Sequence, residues 1–214
     1  MYNNTDTNTN GERYFYSTIK DRIKVIFDVG SRYDSEFLDF TGEVHYFEPM
    51  KEYLDRLKSS RNNLNIKSYW NNFGLGNTKG FIDYFPKYQS FFNRTVSCGI
   101  DESKNKIKLQ IQTGKDYILE NNIEKIDFMK IDTEGYELNV LKGFDDLLNR
   151  VNIIQFEYGG TYLDSGVKLR EIVDYLQTKG FYGFSYISPF GTILINDFSD
   201  HYQYCNIVCF NNFL

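Results

Sequence analysis

The sequence predicts an α/β sandwich built around a mainly parallel sheet, on three observations. Short apolar runs rich in β-branched residues alternate with amphipathic segments over most of the chain. Two of those runs end in "FDVG" and "YFEP", placing an acid and a glycine where strands stop. The last two runs follow one another with no helix between them, which makes an antiparallel pair.

Residues 23–29 form the first buried strand, and residues 31–40 are compatible with a short helix. Residues 43–47 form a second strand. Pro49 then opens a helix, since its missing N–H is harmless in a first turn, and Met50, Tyr53, Leu54 and Leu57 follow at helical spacing. Residues 65–70 give a third strand. Two strand-like runs, 81–85 and 107–112, flank a loop carrying Tyr88, Phe91, Phe92 and Cys98. Its length makes this insertion, at about 80–113, a candidate substrate-binding element or a plain surface hairpin. Strands at 126–131 and 151–156 bracket a helix with Leu138, Leu141, Phe144 and Leu148 along one side. Leu169, Ile172, Val173 and Leu176 mark another helix, closed by Gly180. Strands at 181–187 and 205–210 end the chain.

A chain of 214 residues suits one domain. Residues 1–18, polar at the start, read as a flexible tail, and 19–214 as a single domain. The net charge is -5, which argues against a nucleic-acid backbone as main partner. Three sparse cysteines without a CxxC pair fit a reduced, cytoplasmic protein. No apolar stretch approaches the roughly 20 residues of a membrane span. The start lacks the apolar core of a signal peptide. The two Asn-x-Thr matches, at Asn3 and Asn93, are read as chance.

A glycine directly after a first strand permits a tight turn and close approach of a ligand. Glu48 lies 18 residues beyond Gly30, near the spacing of about 20 at which an acid meets a ribose diol in nucleoside-binding folds. Both residues also have plain structural readings, as a strand-end turn and a solvated strand end. The loop "GSRYDS" has one glycine, and Asp34 would face any phosphate bound there, which disfavours NAD and FAD. A phosphate-free adenosine cofactor, S-adenosylmethionine, suits the loop better. Asp132 and Glu157 end neighbouring strands, with Glu134 and Glu137 close behind the first. These acids could hold a divalent cation, supply a general base toward a hydroxyl, or serve as hydrogen-bonded structural groups. His45 inside a strand reads as structural, and His201 in a polar loop as a possible base.

"VIFDVGSRYDSEFL", "VHYFEP", "IDFMKIDTEGYELNVLKG" and "IIQFEYGG" resemble the FkbM family of S-adenosylmethionine-dependent methyltransferases. The resemblance runs in order from residue 23 to 210, and "KIDTEGYELNVLKG" is its most specific part. It implies a class I methyltransferase (Rossmann-like) sandwich with a seven-stranded, mostly parallel sheet and an antiparallel last strand. It also implies methyl transfer to a hydroxyl of a sugar or other small molecule. Under it, Asp28 and Gly30, with Ser31 in the same turn, underlie the methionine end of the cofactor. Glu48 binds the ribose, and the stretch Asn72-Phe73-Gly74 after the third strand holds the adenine. Asp132 and Glu134 belong to the signature at the reaction edge. With Glu157 they form the candidate catalytic set; a divalent metal is an open possibility. The chain departs from the family's DVGxNxG loop at Arg32, Tyr33 and Asp34.

Two rivals remain at the level of sequence. A catalytically silent module would keep the fold and bind cofactor without turnover. An RNA ribose methyltransferase would use a Lys-Asp-Lys-Glu tetrad, but Glu157 stands where its second lysine is expected.

Overall fold

The computed structural model describes residues 4–60 and 67–211. Its elements run α1 (Glu12–Ile19), β1 (Val25–Val29), β2 (Glu43–Phe47), α2 (Lys51–Ser59), β3 (Lys67–Asn71), β4 (Gly74–Gly76), β5 (Gly80–Tyr84) and α3 (Thr95–Cys98). The second half holds β6 (Ile107–Thr113), α4 (Gly114–Glu120), β7 (Ile126–Ile131), α5 (Glu137–Phe144), a 3-10 turn at Asp145–Arg150 and β8 (Val151–Tyr158). The chain finishes with α6 (Tyr162–Ser165), α7 (Leu169–Thr178), β9 (Phe181–Ser188), β10 (Gly191–Leu194) and β11 (Cys205–Asn211).

The main sheet has the order β10-β9-β11-β8-β7-β1-β2-β3. Strands β3, β2, β1, β7 and β8 pair in parallel, and β11 runs antiparallel to both of its neighbours. The antiparallel last strand is therefore as expected, but the sheet has eight strands rather than seven. The extra one is β10, which hairpins back on β9 through a two-residue turn at Pro189 and Phe190 and starts at Gly191, φ 117°. Strands β4, β6 and β5 form a separate small sheet; β5 and β6 fall in the insertion expected at about 80–113, and β4 precedes it. Of the strand expected at 65–70, residues 65 and 66 lie outside the described residues.

Side chains alternate across the sheet with period two, giving it two apolar faces. Phe27, Val29, Met129, Ile131, Ile154 and Phe156 pack with α4, α5 and α7 on one face. Ile26, Val44, Tyr46, Phe128 and Ile153 pack on the other with Phe15 and Ile19 of α1 and Leu54 and Leu57 of α2. Because α1 contributes Phe15 and Ile19, the tail expected through residue 18 is folded from Asn10 onward. Full burial of such side chains stabilises by roughly 1.5–3 kcal/mol each, and Asn10 and Glu12 are buried as well.

The short helix expected at 31–40 does not form. Ser35 Oγ instead donates to Asp28 Oδ2 at 2.6 Å and accepts from the Phe37 N–H. That competition between side chain and backbone favours turns, while Phe37 and Phe40 still reach the core. Helix α2 begins two residues later than expected: Lys51 is its first residue, Met50 its N-cap, and Pro49 precedes both.

Candidate active site

The parallel strands β1, β2, β7 and β8 all end at one edge of the sheet, and two connected cavities open there. The larger, about 150 Å³, is lined by Asp28, Ser31, Lys130, Asp132, Glu134 and Glu157, among others. The smaller, about 30 Å³, lies between Phe47, Glu48, Leu75, Tyr84 and Phe91. They share Gly30, Arg32, Asp132 and Glu134. Their floor follows from register: Asp28 sits beside Lys130, and Lys130 beside Gln155. With side chains alternating, Asp132 and Glu157 continue the same face.

Gly30 has φ 85°, and a Cβ there would lie 1.9 Å from the Asp132 carbonyl oxygen. The close approach that excludes a side chain is thus made by the end of β7. Glu48 is buried, and its two carboxylate oxygens accept from the Met50 N–H at 2.7 Å and the Arg32 N–H at 3.0 Å. It pins the loop after β1 to the start of α2. Arg32 adopts φ 51° and lines both cavities, with its Nε lacking a partner among the described residues. Two further buried polar atoms, Ser31 Oγ and Glu36 Oε2, are also unpartnered on residues lining the larger cavity. Lys130 is fully engaged, 3.0 Å from Glu12 and 3.5 Å from Glu36. Glu12 also accepts from Gln155 at 2.7 Å, which fixes α1 over the sheet.

The acids at the reaction edge crowd together. Asp132, Glu134 and Glu157 each place a carboxylate oxygen within 4.8 Å of the others. Burial, then the charge of Asp132, pushes Glu134 up to about 7. The same causes in the same order raise Glu157 well above the carboxylate range. Burial also lifts Asp28 to about 7 against the pull of Lys130, and Glu48 to about 7 against its two N–H donors. Three hard oxygen donors in this arrangement are able to hold a divalent cation, and carboxyl groups this close are able to pass a proton between them.

Asp28, Gly30, Ser31, Glu48, Asp132, Glu134 and Glu157 are therefore brought to one edge. Asn72 and Phe73 line neither cavity. Asn72 donates to the Glu48 and Pro49 carbonyls, and the Phe73 ring packs against Phe47 and Tyr117 in the core. Gly74 and Leu75 take their place in the smaller cavity. Sequence reasoning gave no role to Arg32 or Lys130, although both lie inside quoted motifs, nor to Glu12, which lies in none. Of the aromatic insertion, Tyr84 and Phe91 close over the smaller cavity. Ser90 ties that insertion to the reaction edge by donating to the Glu134 carbonyl at 2.9 Å while accepting from the Phe92 N–H. His45 is structural, buried between Tyr117 and Glu43. His201 bonds Tyr186 and lines neither cavity.

The methyltransferase FkbM domain model matches residues 28–182. The chain belongs to this family. Over 137 residues it is 26% identical to the hexuronic acid methyltransferase AglP of Haloferax volcanii, covering 62% of this chain and 55% of that protein. The chain thus spans about half the length of this curated relative. Among solved structures it resembles a candidate rRNA methylase from Clostridium thermocellum at TM-score 0.51 and 12% identity, over 94% of this chain and 97% of that one. It also resembles the N-terminal domain of human METTL16 at TM-score 0.51 and 13% identity, over 100% of this chain and 73% of that one. At such identities these structures speak for the fold alone, that of the class I methyltransferases. No helix among the described residues is long and apolar enough to cross a membrane.

Proposed function

We propose that this FkbM-family domain transfers a methyl group from S-adenosylmethionine to a hydroxyl of a sugar. The observation that carries the reading is the meeting, at one sheet edge, of a cleft carrying a buried ribose-binding type of acid with a cluster of three carboxylates. The cofactor fits the groups present. The larger cavity combines the unpartnered Ser31 hydroxyl and Arg32 Nε with an unpartnered acceptor on Glu36, a set that matches an amino-acid zwitterion. Its acids repel phosphate but suit a sulfonium. In this reading Asp28, Gly30 and Ser31 would hold the methionine end, Glu48 the ribose, and Leu75 the adenine. The smaller cavity has room for about one water molecule, so the Tyr84–Phe91 loop must open to admit a base.

When bound, the cofactor supplies an electrophilic methyl group already activated by the sulfonium. The chain's own part is alignment and proton removal. Asp132 accepts the hydroxyl proton at a carboxylate oxygen as the new bond forms. Glu157, whose burial beside Asp132 favours its protonated form, keeps a second negative charge out of the site. Glu134 borders both cavities and faces the acceptor. A sugar acceptor is supported by the name of the archaeal relative and by the hydroxyl-binding character of the site.

The test is transfer of labelled methyl from S-adenosylmethionine to a panel of neutral methyl glycosides and methyl uronides. Transfer that disappears in Asp132→Asn supports the reading. Tight S-adenosylhomocysteine binding without transfer to any acceptor would favour a silent module. Turnover lost on chelation and restored by magnesium would assign the three carboxylates a Lewis-acid ion.

A further inference from the structure

Strand β7 leaves the sheet at Asp132 and must reach α5 within four residues. It does so through two successive left-handed residues, Glu134 at φ 53° and Gly135 at φ 98°. Glycine adopts that region freely, whereas glutamate does so only where the surroundings hold it. The helix offers no side-chain cap of its own, because Tyr136 at the N-cap makes none.

The holding group is Glu137. Its side chain is fully buried, and a single oxygen, Oε1, accepts from the Thr133 N–H at 2.9 Å, the Thr133 hydroxyl at 3.0 Å and the Gly135 N–H at 3.3 Å. An acid present only to complement a helix dipole needs neither burial nor three donors on one oxygen. Here the donors flank Glu134 on both sides, while Ser90 holds the Glu134 carbonyl from the insertion. The fully buried Tyr162 lies against Glu137 and donates to the Glu157 carbonyl at 2.9 Å, so the same buried group borders both strand ends.

We infer that Glu137 is a positioning residue that fixes the β7–α5 loop in the left-handed form placing Glu134 and Asp132 at the reaction edge. The inference rests on the methyl-transfer reading given above. It separates Glu137, which touches no cavity, from Glu134 and Asp132, which line both.

Three quantities test it in the native protein, Glu137→Ala and Glu137→Gln: S-adenosylhomocysteine affinity, turnover on the best panel glycoside, and amide hydrogen exchange at Thr133 and Gly135. For Glu137→Ala the expected result is turnover lowered about 100-fold, affinity within about threefold, and exchange at both amides about tenfold faster. Glu137→Gln keeps a side-chain oxygen able to accept the same N–H groups, and turnover is expected to return to within about fivefold of native. If Glu137→Ala does not fold, Thr133→Ala, which removes the hydroxyl bond alone, is expected to lower turnover about fivefold. Native turnover in these alanine variants would overturn the inference. So would parallel loss of affinity and turnover, or a glutamine variant as poor as alanine. Unchanged amide exchange overturns it before any acceptor is known. A native protein that fails to bind S-adenosylhomocysteine sinks the methyl-transfer reading instead, and the exchange result then judges the loop restraint by itself.

Discussion

The ends of β1 and β2 and those of β7 and β8 lie side by side along one edge of the sheet, and both pairs carry buried carboxylates. At the end of β2, Glu48 has each oxygen occupied by a backbone N–H, so its charge is tied to loop geometry. At the ends of β7 and β8, Asp132, Glu134 and Glu157 converge within 4.8 Å, and the nearby Lys130 is paired with Glu12 and Glu36 instead. The same residue type, at equivalent places in parallel strands, is held rigidly in one case and left electrostatically frustrated in the other. The difference follows from what surrounds each acid. A hydrogen-bonded carboxylate is a fixed acceptor for a diol, whereas a crowded one gains by taking up a proton or a cation.

The comparison breaks most sharply at Asp132. Asp132→Asn is expected to lower turnover about 1000-fold, the scale of a lost general base. S-adenosylhomocysteine affinity should stay within about threefold of native. Equal loss of both, read by calorimetry and single-turnover kinetics, would merge the two halves of the cleft into one. Glu48→Ala is the mirror experiment. It is expected to weaken S-adenosylhomocysteine binding about 100-fold, since two charge-assisted bonds that order the loop are removed.

The buried acids sharpen the comparison through pH. Asp28, Glu48, Glu134 and Glu137 are each raised to about 7, chiefly by burial. A carboxyl raised in the folded state binds protons more tightly there than in the unfolded chain. Its stabilising contribution is complete below about 4.5 and is lost as pH climbs through about 7. The ligand-free protein should therefore melt on the order of 10 °C lower at pH 8 than at pH 5, by scanning calorimetry. A melting temperature that rises over that interval would contradict these assignments. The smallest effect separates neighbours in sequence. Leu75→Ala is expected to weaken S-adenosylhomocysteine about fivefold by removing apolar contact, and Phe73→Leu to change affinity less than twofold.

Much of this architecture was legible from local pattern. Apolar runs gave the strands other than β4 and β10, helical spacing gave α2, α5 and α7, and the glycine and acids at strand ends gave Gly30, Glu48, Asp132 and Glu157. What stayed hidden depends on contacts distant in sequence. Helix α1 lies in a stretch whose polar letters suggest a tail, because the reason for burying Glu12 is Lys130, far along the chain. Residues 31–40 show apolar spacing suited to a helix, yet the Ser35–Asp28 bond draws the backbone into turns. Phe73 sits in the bend before β4 and packs against Phe47 and Tyr117, whereas Leu75 lies on β4 and lines the smaller cavity. Of the stretch the family pattern pointed to, Gly74 lines the smaller cavity and Asn72 and Phe73 do not.

The central claim is that Glu48 and Asp132 divide binding from chemistry within one methyl-transfer site. Calorimetric titration of S-adenosylhomocysteine into the native protein, Glu48→Ala and Asp132→Asn tests it most directly. The account predicts micromolar binding to the native protein, retained in Asp132→Asn and lost in Glu48→Ala. Folded native protein that does not bind, or that binds equally well without Glu48, would contradict it.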